Sequence, residues 1–231
     1  MHGLTREVLD QAYNEWISHF SHLPEPRWVV LLGGDSGPFV FTAAKAQRLA
    51  VWLNERVGHT GGSVLVSNSV RTPKEAYAAF LGTLKVPVHV HHWGSGEENP
   101  YRGYLAVADQ LVVTGESMSM LAEAVAAQRP LYIFDLSDTP ADAGVAANRP
   151  WWSIPHNFRY KPLTHRLAMW LAPRRMRRDI SRIQTALVKA GTVAWAGQSA
   201  VAEVKAASGK GLDYAANRVR QVLSGVKENL K

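Results

Sequence analysis

The sequence predicts an α/β domain: a parallel β-sheet with helices packed on both of its faces, followed by C-terminal helices. Three observations predict it. Short apolar runs at 28–32, 63–66, 110–113 and 130–134 read as strands buried on both faces. Helical patterns separate these runs with short links, the alternation that βαβ units require. The runs also end in Gly and hydroxyl residues that open the next helix, so helix N-termini gather at one edge of the sheet.

The elements follow in order. Residues 4–20 place apolar side chains at Leu4, Val8, Leu9, Tyr13, Trp16, Ile17 and Phe20, near the period of a helix, and Pro24 and Pro26 end it. The run 28–32 is the first strand. Thr42 caps a helix reaching Val57, with Ala46, Leu49, Ala50 and Leu53 on one face. Residues 63–66 form a second strand that ends in Ser67, Asn68 and Ser69. Thr72-Pro73-Lys74-Glu75 starts a helix with Pro73 at its first position, and that helix runs to Leu84. Residues 86–91 are a third strand and 101–108 a short helix. Residues 110–113 are a fourth strand, 117–128 its helix and 130–134 a fifth strand. After Asp135 the alternation stops. Residues 136–162 read as a long ordered loop, 164–171 and 174–190 as helices, 191–211 as a Gly/Ala/Ser-rich stretch and 213–226 as a last helix. This divides the chain into an N-terminal helix and linker (1–26), a core (27–135) and a loop-and-helix extension packed on the same domain (136–231).

Composition narrows the chemistry. The 231 residues contain no cysteine, which removes disulfides, thiolate metal sites and cysteine nucleophiles. No apolar leader stands at the start and no apolar stretch of 18 residues occurs, so a cytoplasmic chain without a spanning helix is expected. The net charge of +7 is local. Between Trp151 and Arg182 stand Arg159, Lys161, Arg166, Arg174, Arg175, Arg177, Arg178 and Arg182 against the single acid Asp179, while the remainder is balanced. Segment 159–182 reads as a solvated helix face or as a contact for an anionic membrane surface or a phosphorylated ligand. No nucleic-acid-binding motif accompanies it, and nucleic acid is not expected as a partner.

Two loops carry the candidate site. Gly33-Gly34-Asp35-Ser36-Gly37 follows the first strand. Its consecutive N–H groups suit an anion nest, or else a plain tight turn. It is neither a P-loop nor the dinucleotide glycine fingerprint. Gly115-Glu116-Ser117 follows the fourth strand, with Ser117 as a candidate N-cap and Ser119 in the first turn behind it. Glu123 is the one acid of that apolar helix, and a carboxylate there suits ribose hydroxyls or plain solvation. Ser67 joins the set from the end of the second strand. His91, His92 and Asn99 are further candidate ligand contacts, the last in a polar, Gly-rich loop over 93–101 that reads equally as a plain surface loop. No carboxylate is spaced to complete a metal site with His89, His91 and His92, so neither a metal nor a cofactor is expected.

The sequence resembles a known family. The residues that carry the resemblance are Gly33-Gly34-Asp35-Ser36-Gly37-Pro38-Phe39, Glu98-Asn99-Pro100-Tyr101, the stretch from Ala108 and Asp109 through Thr114, Glu116, Ser117, Ser119, Met120, Glu123 and Ala124, and Arg129-Pro130-Leu131-Tyr132-Ile133-Phe134. In this order they look like the mitochondrial fission "elongated mitochondria" family, whose bacterial members carry the label nucleoside-diphosphate-sugar epimerase. The Ser-x-Ser-x-x-x-Glu helix start is similar to that of the donor-binding half of GT-B glycosyltransferases. The resemblance implies a Rossmann-like domain of the GT-B C-terminal-half type that binds a nucleoside-diphosphate sugar. Gly33, Gly34 and Ser36 would line the diphosphate, Ser117 and Ser119 would bind phosphate, and Glu123 the ribose. It further implies glycosyl transfer or an epimerase-like reaction, with the catalytic base unassigned. Members of the family are longer, so the expectation is that an N-terminal half is absent here and is supplied, if at all, by another chain. The alternative that the family name carries is a non-enzymatic protein of membrane surfaces or partner contacts.

Overall fold

The computed structural model describes residues 4–36, 39–136, 167, 170, 171 and 181–197. Six strands form one parallel sheet: β1 (Arg27–Leu32), β2 (Ser63–Asn68), β3 (Val88–His91), β4 (Gln110–Thr114), β5 (Leu131–Phe134) and β6 (Ala194–Trp195). Their spatial order is β3-β2-β1-β4-β5-β6, the doubly wound order of the Rossmann fold. β1 lies at the centre, pairing Val30 with Val66 on one side and with Val112 on the other. All six of its residues are buried, as the unbroken apolar run requires.

The helices divide between the faces. On one face, α2 (Ala43–Thr60) and α3 (Lys74–Thr83) cover Trp28, Val30, Leu32, Val64 and Val66 with Leu49, Leu53, Ala76 and Phe80. On the other, α1 (Arg6–Trp16), α4 (Tyr101–Val107) and α5 (Met118–Ala126) cover Val29, Leu31, Leu111, Val113 and Ile133. α6 (Ser181–Lys189) adds Leu187 and Val188 to this second core. Alternate residues of β1 thus feed opposite cores. Each fully buried Val or Leu stabilises the fold by roughly 1.5–3 kcal/mol relative to exposure.

Local chemistry sets the ends of the helices. Thr5 caps α1 by accepting the Val8 N–H at 3.4 Å, and Thr42 caps α2 by accepting the Lys45 N–H at 3.3 Å. Gly61, at φ 69°, closes α2 in the left-handed conformation that glycine takes without strain. Pro73 sits one position earlier than the sequence suggests, at the N-cap of α3. A 3₁₀ turn over Ile17–Phe20 ends α1. Gly103 lets Trp16 lie directly on α4, since a Cβ there would collide with the indole. Lys45 and Arg48 of α2 fasten the exit of β5, donating to the Leu136 and Asp135 carbonyls at 2.6 Å each.

One departure from the sequence reading matters. The alternation does not end at Asp135. Ala194 and Trp195 pair with Tyr132 and Ile133, adding a sixth strand within the stretch read as Gly/Ala/Ser-rich. Two residues are too few to show a strand's periodicity. The predicted loop beyond Leu136 and the predicted last helix lie outside the described residues.

Candidate functional site

β1 leads to α2 on one face and its neighbour β4 leads to α5 on the other. Consecutive strands thus part at their carboxyl ends, the topological switch point where open α/β sheets place their ligands. Three loops meet there: 33–36 and 39–42 after β1, 69–73 after β2 and 115–117 after β4.

They are laced together across the switch point. The Gly33 N–H donates to Thr114 Oγ1 at 2.8 Å, and the Gly34 N–H donates to Glu116 Oε1 at 2.5 Å. A Cβ on Gly33 would strike the Glu116 carboxyl, and one on Gly34 would strike the Arg71 carbonyl. These glycines are therefore required by close packing between loops, and their N–H groups are already engaged within the protein. Asp35 and Ser36 close the turn itself: Asp35 Oδ1 accepts the Phe41 N–H at 2.9 Å, and Ser36 exchanges backbone bonds with Phe39 at 3.0 Å. From the second loop, Thr72 Oγ1 donates to the Leu32 and Gly33 carbonyls, and Ser69 Oγ to the Gly33 carbonyl at 3.1 Å.

The third loop opens α5. Ser117 occupies the N-cap position, but its hydroxyl makes no capping hydrogen bond. The first turn of α5 thus receives no oxygen from its own cap residue, and its N–H groups keep their anion-binding character. Ser117 is buried and Ser119 is exposed in that first turn. Glu116 is 5% exposed, and its Oε2 has no hydrogen-bond partner. Burial pushes its carboxyl up to about 7, outweighing the opposing Gly34 N–H bond and the Arg71 charge. Gly115 is held from behind, its carbonyl accepting from Gln184 Nε2 of α6 at 2.7 Å.

The remaining predicted residues lie around this centre. Glu123 is half-buried, and its Oε2 accepts from the Tyr101 hydroxyl at 2.6 Å. Burial, then that bond, pushes the Tyr101 hydroxyl well above its ordinary range. Asn99 is exposed and accepts the Tyr101 N–H at 3.1 Å. A cavity of about 430 Å³ lies beside it, lined by Val8, Glu15, Trp16, Asn99, Tyr101 and Arg102 among others. Ser67 is buried within β2, between Leu31 and His91. His91 is buried, whereas His92 is exposed and packs its ring 5.3 Å from that of Tyr77. His89 bonds the Tyr104 hydroxyl at 2.6 Å, and burial lowers its basicity. Among the described residues no three His, Asp or Glu side chains gather to hold a metal, and no helix is long and apolar enough to cross a membrane. Gly37 and the charged side chains of the 159–182 segment lie outside the described residues.

Sequence reasoning did not assign Arg71, Thr72, Thr114 or Gln184 to the site. Arg71 and Thr72 carried a usable signal, since they follow β2 directly at the carboxyl edge. Gln184 carried none.

Comparison with known proteins gives the following. Residues 1–147 match the family model described as mitochondrial fission ELM1. The mitochondrial fission protein ELM1 of Arabidopsis thaliana is 32% identical over 133 residues, covering 58% of this chain and 31% of that protein. The uncharacterised protein RP120 of Rickettsia prowazekii (strain Madrid E) is 28% identical over 118 residues, covering 50% of this chain and 33% of that protein. The matched region thus spans less than two thirds of either relative. Among solved structures, a glycosyl transferase of family 9 from Veillonella parvula DSM 2008 aligns with a TM-score of 0.41 at 12% identity, over 80% of this chain and 52% of that one. POFUT1 in complex with GDP aligns with a TM-score of 0.36 at 18% identity, over 55% and 47%.

Proposed function

The chain belongs to the mitochondrial fission ELM1 family, and from that premise we propose that the carboxyl edge of its sheet binds a nucleoside-diphosphate sugar. The observation that carries this is the start of α5 at the switch point, where Ser117 makes no capping bond. A diphosphate there would meet the positive end of a helix dipole together with the Ser117 and Ser119 hydroxyls. Because the Gly33 and Gly34 N–H groups are engaged, the phosphate donors in this reading come from the α5 side of the crevice. Glu123, its Oε2 fixed by Tyr101, would accept from ribose hydroxyls through its other oxygen.

The activity this supports is that of the donor half of a glycosyltransferase-like protein. Charge developing on a leaving diphosphate would be stabilised at the α5 N-terminus. The acceptor and the catalytic base would come from a second α/β half, contributed by the whole protein or another chain.

The test is thermal stability of the chain against UDP, GDP, ADP, CMP and their sugar conjugates. A ligand at a hundred times its dissociation constant stabilises the fold by about 2.7 kcal/mol. One base should give a selective shift that disappears in the double variant Ser117→Ala, Glu123→Ala. A selective shift that survives in the double variant refutes the site, and no shift with any nucleotide refutes the ligand class.

A further inference from the structure

Arg71 has no part in the nucleotide-sugar site as proposed above, yet its placement is specific. Its backbone is anchored on three sides. The Arg71 carbonyl accepts the Asp35 N–H at 3.4 Å, and its own N–H donates to Ser69 Oγ at 3.2 Å. The next residue, Thr72, is buried and tied to the end of β1. From this base the exposed side chain reaches across to the α5 loop, where Nη2 stands 3.5 Å from Ser117 Oγ. That is the outer limit of a hydrogen bond, a weak partner for a guanidinium. Among the described residues no carboxylate lies within 4.0 Å of it. A rigidly based cation thus faces a helix start.

A second observation in the same turn bears on the charge that a ligand would meet. Glu116 precedes Ser117, is nine-tenths buried and leaves Oε2 without a hydrogen-bond partner. A buried carboxyl oxygen is seldom left unpaired. Burial favours its protonated form, which carries no charge to repel an anion at this turn. Cation, hydroxyl and uncapped helix start agree on one ligand chemistry, a group rich in acceptor oxygens and negative charge.

We propose that Arg71 recognises a phosphoryl group seated at the start of α5, its planar fork gripping two phosphoryl oxygens while Ser117 and the first α5 N–H groups hold the others. The inference rests on the nucleotide-sugar reading for the location of the ligand, but it assigns the phosphate grip to a residue from a different loop. The β2–α3 loop then becomes part of the site, and ligand binding joins all three loops of the switch point.

The experiment titrates two kinds of anion into the chain, following backbone amide shifts by NMR. Sulfate serves as a dianion that does not titrate near neutrality. UDP-glucose and GDP-mannose serve as diphosphate diesters. Each is run against wild type, Arg71→Gln and Arg71→Lys, with melting temperatures as the control for folding. Arg71→Gln should weaken both kinds of anion by about tenfold or more at an unchanged melting temperature. Arg71→Lys keeps the charge and loses the fork, and should weaken the diesters by about threefold. It decides the matter if the Gln variant is unstable. If the nucleotide sugars bind wild type and the Arg71 variants alike, the inference is overturned and the nucleotide-sugar reading stands. If sulfate binds through Arg71 but no nucleotide sugar binds, the inference stands and the nucleotide-sugar reading falls. If wild type binds neither kind of anion, both fall.

Discussion

Replacing Glu116 with Gln should flatten part of the pH dependence of stability. The carboxyl is 5% exposed, its Oε1 accepts the Gly34 N–H, and its Oε2 has no partner. Burial raises it from an ordinary 4.5 to about 7 in the folded chain. Between those values the folded state holds a proton that the unfolded state has released. Stability must therefore fall as pH rises across that window. Its contribution is fully present below pH 4.5 and is lost once pH passes 7. At 1.36 kcal/mol per pH unit the loss is about 3 kcal/mol. Gln keeps a carbonyl oxygen for the Gly34 N–H and cannot ionise. Relative to wild type, Glu116→Gln should gain about 3 kcal/mol between acid and mildly alkaline conditions. Urea unfolding of both proteins from pH 4 to 8.5 measures this, and every other titrating group cancels in the difference. Parallel curves would refute the reasoning. A difference that runs the other way would mean that the Gly34 bond and the Arg71 charge outweigh burial, so that the carboxylate is depressed and stabilises the fold when ionised.

Two further outcomes follow from the same geometry. Gly34→Ala places a methyl group against the Arg71 carbonyl, which is backbone held by its neighbours and cannot swing aside; thermal unfolding should show a loss of about 1–3 kcal/mol. Asp109 accepts the Arg27 N–H at 2.7 Å where β1 begins, so Asp109→Ala should cost about 1–3 kcal/mol in urea titration while Asp109→Asn, which keeps an acceptor, costs clearly less.

Much of the fold was legible because its signals are local. The 28–32 run reads as a strand buried on both faces, and Thr42 announced the start of α2 one residue ahead. What escaped lies in contacts between distant segments. Gly33 and Gly34 read from sequence as an anion nest or a tight turn, and the partners that engage their N–H groups, Thr114 and Glu116, stand 81 and 82 residues away. Periodicity does not register such pairs. Ser117 was rightly placed at a helix N-cap, yet whether its hydroxyl caps the helix depends on a rotamer that sequence does not encode. β6 is too short to show a pattern, and Gln184 sits on a helix whose own periodicity says nothing about which turn it supports. Loop positions at the sheet edge followed from topology, while the hydrogen bonds that engage or free each donor there followed from packing.

The bond from Gln184 to the Gly115 carbonyl has a consequence for how the molecule is made. Five strands have been synthesised by Phe134, but the helix that braces the β4–α5 turn and the sixth strand of the sheet come some 50 to 60 residues later. A nascent chain can pair β1 with β2 and β4 and bury both cores around them well before that point. Among the described residues the support of the turn that opens α5 is thus the last of the crevice's supports to be synthesised. Among the described residues β6 is the strand that pairs with the outer edge of β5, a short, apolar border that is adhesive while it stays unpaired.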